Sequence, residues 1–248
     1  NNYVWASPGI PAVREHVLRV VDESVQRYDI DGIHFDYIRY PEGSQEQGYS
    51  NDSVSVARFH DPLQNPGALG WEHWQREQVN QFVFDAYNLV QSRKPWVKMS
   101  ASVIGEYVGE GWTAYGAVYQ DPRRWMEVGK IDFIVPMVYW ERSHATKPFI
   151  PLITEWRDRV AYDRQVLPGL ATKLIERFGW EELEAQVEEV RSQGLPGVVF
   201  YSAAGLEKAW ELVGGRSFPY WALVPTMPWK SSDHPAAPTG VAARPGDS

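Results

Sequence analysis

Five times along these 248 residues a short apolar run gives way to a loop and then to a segment whose apolar side chains recur at helical spacing. Repeated β-then-α units of this kind predict parallel strands joined by right-handed crossovers. The predicted strands are 32–38, 97–103, 131–139, 166–171 and 198–202. The predicted helices are 11–28, 71–93, 122–128, 148–162, 180–193 and 205–213. Pro11 suits the opening turn of the first helix, where Val13, Val17, Val20, Val21 and Val25 recur at helical spacing, and Gly194 ends the fifth. Residues 42–70, rich in Gly, Asn, Ser and Gln, read as one long loop. Five units do not close an eight-stranded barrel. The pattern therefore leaves two α/β folds open: an open doubly wound sheet, or a (β/α)8 TIM barrel of which the chain carries about strands 4 to 8, with the first three βα units missing.

Composition narrows the partners. A net charge of −8 argues against nucleic acid and anionic membrane surfaces, which both need a positive field. There is no cysteine, hence no disulfide and no thiolate metal site. The six histidines are scattered and no HExxH is present, so no metal site is expected. Glycine-rich nucleotide loops and a GxSxG elbow are also absent, and no cofactor is expected. No apolar run approaches the ~20 residues of a membrane span. The first five residues do not form a signal peptide, so an export signal would lie upstream. Aromatics make up 14%, with 12 Trp and 13 Tyr. A large core or a sugar-stacking surface accounts for them equally well.

The chemistry concentrates in Asp31-Gly32-Ile33-His34-Phe35-Asp36. Strand side chains alternate between faces. Ile33 and Phe35 then pack under the helices, and His34 and Asp36 point into the lumen, with Asp36 at the C-terminal end where barrel enzymes place their catalysts. Tyr37, Arg39 and Tyr40 surround it with a polar, aromatic rim.

Two blocks, YVWASPGIPAVREHV and YDIDGIHFDYIRYP, resemble the bacterial glycosyl-hydrolase-like family 10 proteins. The blocks KMSASVIG, VYQDPRRWMEVGKIDFIVPMVYW, VLPGLATK and GVVFYSA follow in the family's order, so the resemblance covers about residues 3–229. It implies an exported bacterial TIM-barrel glycosidase, secreted or in the cell envelope, acting on a polysaccharide such as cell-wall glycan. It also implies that 32–38 is the fourth barrel strand. A barrel domain is expected over 1–229, then a Pro/Ala-rich linker over 230–248 whose end resembles the start of a fibronectin type III module. An unpaired fourth strand predicts self-association through the open edge, pairing with the missing half, or aggregation.

Glycoside hydrolysis needs two carboxyl groups, one protonating the leaving oxygen and one attacking or activating water. Asp36 is the candidate nucleophile or base, kept ionised by His34 and Arg39. Glu106, after the second strand, and Glu141, after the third, are the candidate general acids, with Glu141 favoured because it follows Trp140. Asp121 reads as a helix N-cap and Asp132 as structural. Candidate substrate contacts are His34, Tyr37, Arg39, Trp112, Tyr139, Trp140, Lys173 and Tyr201, most of them at strand C-termini. The competing reading is a non-catalytic carbohydrate-binding barrel, or a fragment inactive without its N-terminal strands.

Overall fold

The computed structural model describes residues 4–43, 51–159, 164–207, 209–220 and 224–230. Among them, β1 (Gly32–Phe35), β2 (Lys98–Ile104), β3 (Phe133–Met137), β4 (Gln165–Val166), β5 (Gly169–Ala171) and β6 (Val199–Tyr201) form one sheet in the order β1-β2-β3-β5-β6, with β4 also on β3. Every pairing is parallel. The sheet curls into a parallel half-barrel. One predicted strand is split into β4 and β5 because Pro168 has no N–H to give the ladder. The break is local: Leu167 N–H still donates to Ile134 O (3.0 Å), and Pro168 O accepts from Val199 N–H (3.0 Å).

The helices are α1 (Pro11–Arg27), α2 (Ser53–His60), α3 (Trp71–Arg93), α4 (Ala114–Ala117), α5 (Pro122–Glu127), α6 (Phe149–Asp158), α7 (Leu174–Phe178), α8 (Trp180–Ser192), α9 (Ala203–Leu206) and α10 (Trp210–Leu212), followed by a π-helical turn at Val213–Ser217. Two expectations are corrected. The stretch read as a long loop contains α2, which Asp52 caps by accepting from Ser55 N–H (2.8 Å). Arg58 then ties α2 to Gly9 O (2.6 Å) and Gln78 (2.9 Å), tertiary contacts that no local pattern announces. The predicted closing helix is instead two short helices and the π-helical turn. The residues of the expected linker and module start, 231–248, lie outside the described residues.

Much of the aromatic content is core. Trp74, Trp125, Trp156 and Tyr40 are each at most 1% exposed. Two of these indoles are satisfied by polar partners, Trp125 donating to Asn80 (2.7 Å) and Trp156 to Gly105 O (2.8 Å). β2 is buried along nearly its whole length, whereas β1 and β6 alternate between exposed and half-buried, as the two outer strands of an open sheet do.

At the N-terminal end of the strands the fully buried Asp132 acts as a hub. It accepts from Met99 N–H (2.7 Å), Tyr87 (3.2 Å), Trp229 (2.7 Å) and Lys230 (2.7 Å). Arg164 covers the Trp229 ring at 4.3 Å. Residues 226–230 thus strap the bottom of the half-barrel, helped by Gln165 donating to Thr226 O (3.0 Å). Breaking one side of a buried ion pair strands the other charge. Asp132→Ala is expected to cost about 3–5 kcal/mol, read as a lower urea midpoint, whereas exposed Asp158→Ala serves as a near-neutral control.

Candidate active site

The alternation in β1 places its side chains as its pattern requires. Phe35 packs edge-to-face on Phe82 of α3 (5.5 Å), on the helix side. His34 takes the other face and lies between two hydroxyls of β2, with Nδ1 2.9 Å from Ser100 Oγ and Nε2 2.8 Å from Ser102 Oγ. The parallel register that pairs His34 with Ser100 puts all three on one face. Displacement of water by the surrounding strands holds the His34 pKa below its ordinary value, with Asp36 pulling weakly the other way.

Asp36 is the first residue beyond β1, and its Oδ1 accepts from Tyr37 N–H (2.8 Å). Tyr37 has φ 56°, a left-handed conformation rare for an aromatic residue. That turn places its ring under the Arg39 guanidinium (4.3 Å) and near Trp5 (5.9 Å). The segment then returns to the sheet through a side chain. Buried Gln120 donates to Ile38 O (3.2 Å) and Ser102 O (3.3 Å), and accepts from Ile104 N–H (3.1 Å).

The Asp36 charge reaches His34, Arg39 and Tyr139. Burial lowers the Arg39 pKa, opposed by Asp36 and Tyr37. Burial first, then Asp36 and Tyr201, push the Tyr139 phenol up to about 12, so it stays a hydrogen-bond donor at ordinary pH. Its ring lies nearly parallel to Tyr201 (5.6 Å, 14°). This pair lines a cleft of about 550 Å³ with Lys173, Trp180, Ser202 and Glu207. Thr172 closes its floor, donating to Ser202 O (3.1 Å) and accepting from Ser202 N–H (2.9 Å).

Glu106 forms an ion pair with Lys147, and both side chains are 18% exposed. Its second oxygen lies where a Cβ at Gly109 would sit, and the positive φ of 155° at Gly109 is one that favours glycine. Lys147 also approaches Trp112 O (3.5 Å) and lies 5.6 Å from the Trp140 ring centre. Trp140 packs on Gly105, where a Cβ would collide with it. Glu141 is half-buried, and its carboxylate has no hydrogen bond among the described residues. Asp121 caps α5, as its sequence position predicted, and accepts from Tyr107 (2.8 Å).

All the predicted residues but Glu141 therefore fall into three groups: His34, Asp36, Tyr37 and Arg39 at the end of β1; Glu106, Trp112 and Trp140 around Lys147; and Tyr139, Lys173 and Tyr201 on the cleft. Tyr139 links the first group to the third. Glu106 and Glu141 line neither the cleft nor the cavity beside Asp36. Ser100, Ser102, Gln120 and Lys147 were not singled out from the sequence. The two serines carried a signal, being polar positions at period 2 between Met99, Ala101 and Val103.

Removing the Gln120 amide leaves two carbonyls and one N–H unpaired in the interior. Gln120→Ala is expected to cost at least about 3 kcal/mol at 1–3 per buried orphan, checked by urea denaturation. For His34 the folded pKa lies below the unfolded one, so the unfolded chain takes up the proton first. Stability then falls as pH drops below about 6.5. His34→Asn should flatten the decline in urea midpoint between pH 7.5 and 5.5.

The sequence profile described as Glycosyl hydrolase-like 10 matches residues 1–183. The chain is 26% identical over 261 residues to the glycosyl hydrolase YngK of Bacillus subtilis (strain 168), covering 96% of this chain and 50% of that protein. It is 30% identical over 164 residues to the glycosyl hydrolase DigH of Escherichia coli (strain K12), covering 62% of this chain and 36% of that protein. DigH of Shigella flexneri matches to the same extent. The chain thus spans half of the first relative's length and about a third of the second's.

Proposed function

The chain belongs to the glycosyl hydrolase-like 10 family, and from that membership we propose that it is the C-terminal part of an exported TIM-barrel glycosidase acting on a polysaccharide, such as a bacterial cell-wall glycan. Its strands β1 to β6 stand for barrel positions four to eight, and the domain ends near residue 229 before a linker. The observation that carries the reading is Asp36. It is a carboxylate just beyond the C-terminal end of a parallel strand, and its charge is felt by His34, Arg39 and Tyr139.

In this reading Asp36 attacks the anomeric carbon or activates water against it. The C–O bond to the leaving sugar breaks, and the leaving oxygen takes its proton from a second carboxyl group. Glu106 is ion-paired with Lys147, the opposite of the apolar surroundings that keep a general acid protonated. Glu141, beside Trp140 and without a cationic partner among the described residues, is assigned that role. The Tyr139–Tyr201 pair and Lys173 bind sugar in the cleft, where Tyr201 is 64% exposed. Trp112 and Trp140 extend the aromatic rim. No metal or cofactor is assigned a step.

A non-catalytic carbohydrate-binding barrel is the second reading. One observation favours it: among the described residues, neither Glu106 nor Glu141 lines the cavity beside Asp36 or the cleft at Tyr139. The discriminating variant is Asp36→Asn in the natural-length protein, assayed on peptidoglycan glycan strands and a polysaccharide panel. Loss of about 10²–10⁴-fold in kcat is expected, with the circular dichroism spectrum and glycan binding kept. Full activity removes Asp36 from the chemistry. Glycan binding without turnover in the unaltered protein supports the binding barrel.

A further inference from the structure

The rim segment from Glu141 to Lys147 leads from the end of β3 into α6, and one side chain holds it folded. His144 Nδ1 accepts from Lys147 N–H (3.1 Å) and, at longer range, from Thr146 N–H (3.4 Å). The His144 N–H donates back to Glu141 O (3.1 Å), and its ring lies 6.2 Å from the Trp140 ring.

Lys147, fixed in this way at its backbone, reaches across the rim with its side chain. Its ammonium pairs with Glu106 and approaches Trp112 O (3.5 Å), near the two ends of the loop between β2 and α4. That loop is closed at its base by Ala114 N–H on Glu106 O (2.9 Å) and Tyr115 N–H on Tyr107 O (2.9 Å). Its tip turns through Gly109 and Gly111, both at positive φ. One line of contacts thus runs from His144 through Lys147 to the loop carrying Glu106 and Trp112.

An imidazole nitrogen accepts only while it carries no proton, so the neutral His144 ring keeps its proton on Nε2. Protonation turns Nδ1 into a donor facing two donors, and both bonds are lost. It also adds positive charge to a segment that already bears Arg142 and Lys147. The charged groups at this corner are Glu106 from the β2 loop, Glu141, Arg142 and Lys147 from the segment itself, and Glu182 from α8. Glu182 is taken by Arg142 (3.1 Å) and Glu106 by Lys147. Glu141 has no cationic partner among the described residues and so can draw an imidazolium out of the turn.

We infer that His144 is a pH-sensitive latch of the rim: its unprotonated ring holds Lys147, and Lys147 holds the loop bearing Glu106 and Trp112, so the rim is assembled at neutral pH and loosens in mild acid. The latch stands on these contacts alone. Only its consequence, a glycan gripped at Trp112 and Trp140 at neutral pH and released in acid, rests on the proposed function.

Amide hydrogen exchange in the natural-length protein tests the latch without turnover, and so stays informative if the glycosidase reading fails. Rates are corrected for the intrinsic pH dependence of exchange and compared at pH 7.5 and 5.5. The Lys147 amide, and the Ala114 and Tyr115 amides at the base of the Glu106 loop, should open on the order of 10-fold more often at the lower pH. His144→Asn keeps a side-chain acceptor that does not titrate, and should remove the pH dependence while keeping the protection. Lys147→Met should raise exchange at Ala114 and Tyr115 at both pH values and leave position 147 sensitive to pH, which keeps the test readable if the His144 variant does not fold. Protection independent of pH in the unaltered protein overturns the inference, as does an undiminished pH dependence in His144→Asn. Acid opening at position 147 with no change at Ala114 and Tyr115 breaks the link to the Glu106 loop and overturns it as well.

Discussion

The segment bearing Asp36 is tied to the sheet by a side chain rather than by strand pairing. β1 stops at Phe35, and three residues later Ile38 O is taken by the buried Gln120 amide, which also bonds Ser102 O and Ile104 N–H of β2. One amide thereby replaces ladder hydrogen bonds that the turn at Tyr37 gives up. It lets the chain leave the strand at Asp36, expose a carboxylate, and return with the Ile38 carbonyl paired. His34 depends on the same arrangement, because its two serine partners lie on β2 and Gln120 holds the carbonyl of one of them.

Parallel pairing supplies the larger constraint. It sends every loop that follows a strand to one end of the half-barrel, so residues far apart in sequence such as Asp36, Glu106, Tyr139, Lys173 and Tyr201 share that end. The opposite end is closed by Asp132 with Trp229 and Lys230. The division assigns the two buried or half-buried Lys–carboxylate pairs differently. Asp132–Lys230 holds the strap, and Glu106–Lys147 ties two rim loops together. Both outer strands remain half-exposed.

The alternation of apolar and polar residues was enough to read the parallel α/β class, the long helix over 71–93, the face chosen by Phe35 and the cap at Asp121, since each depends on spacing within a few residues. The helix at Ser53–His60 was hidden because contacts to Gly9, Gln78 and the Trp71–Trp74 region stabilise a polar stretch. Pro168 interrupts a strand whose apolar run looked continuous. Lys147 and Gln120 were not legible, because their partners lie 41 and 82 residues away and come together only through the fold. The grouping of the carboxylates was likewise out of reach: rim position could be read, but not which cavity each residue lines.

The central claim is that Asp36 supplies the attacking or base-acting carboxylate. Chemical rescue tests it most directly. Asp36→Gly in the natural-length protein should be nearly inactive on a glycan that the unaltered protein cleaves, and added azide or formate should restore turnover, with azide yielding a glycosyl azide if Asp36 is the nucleophile or base. Unimpaired cleavage by Asp36→Gly without added anion would contradict the account.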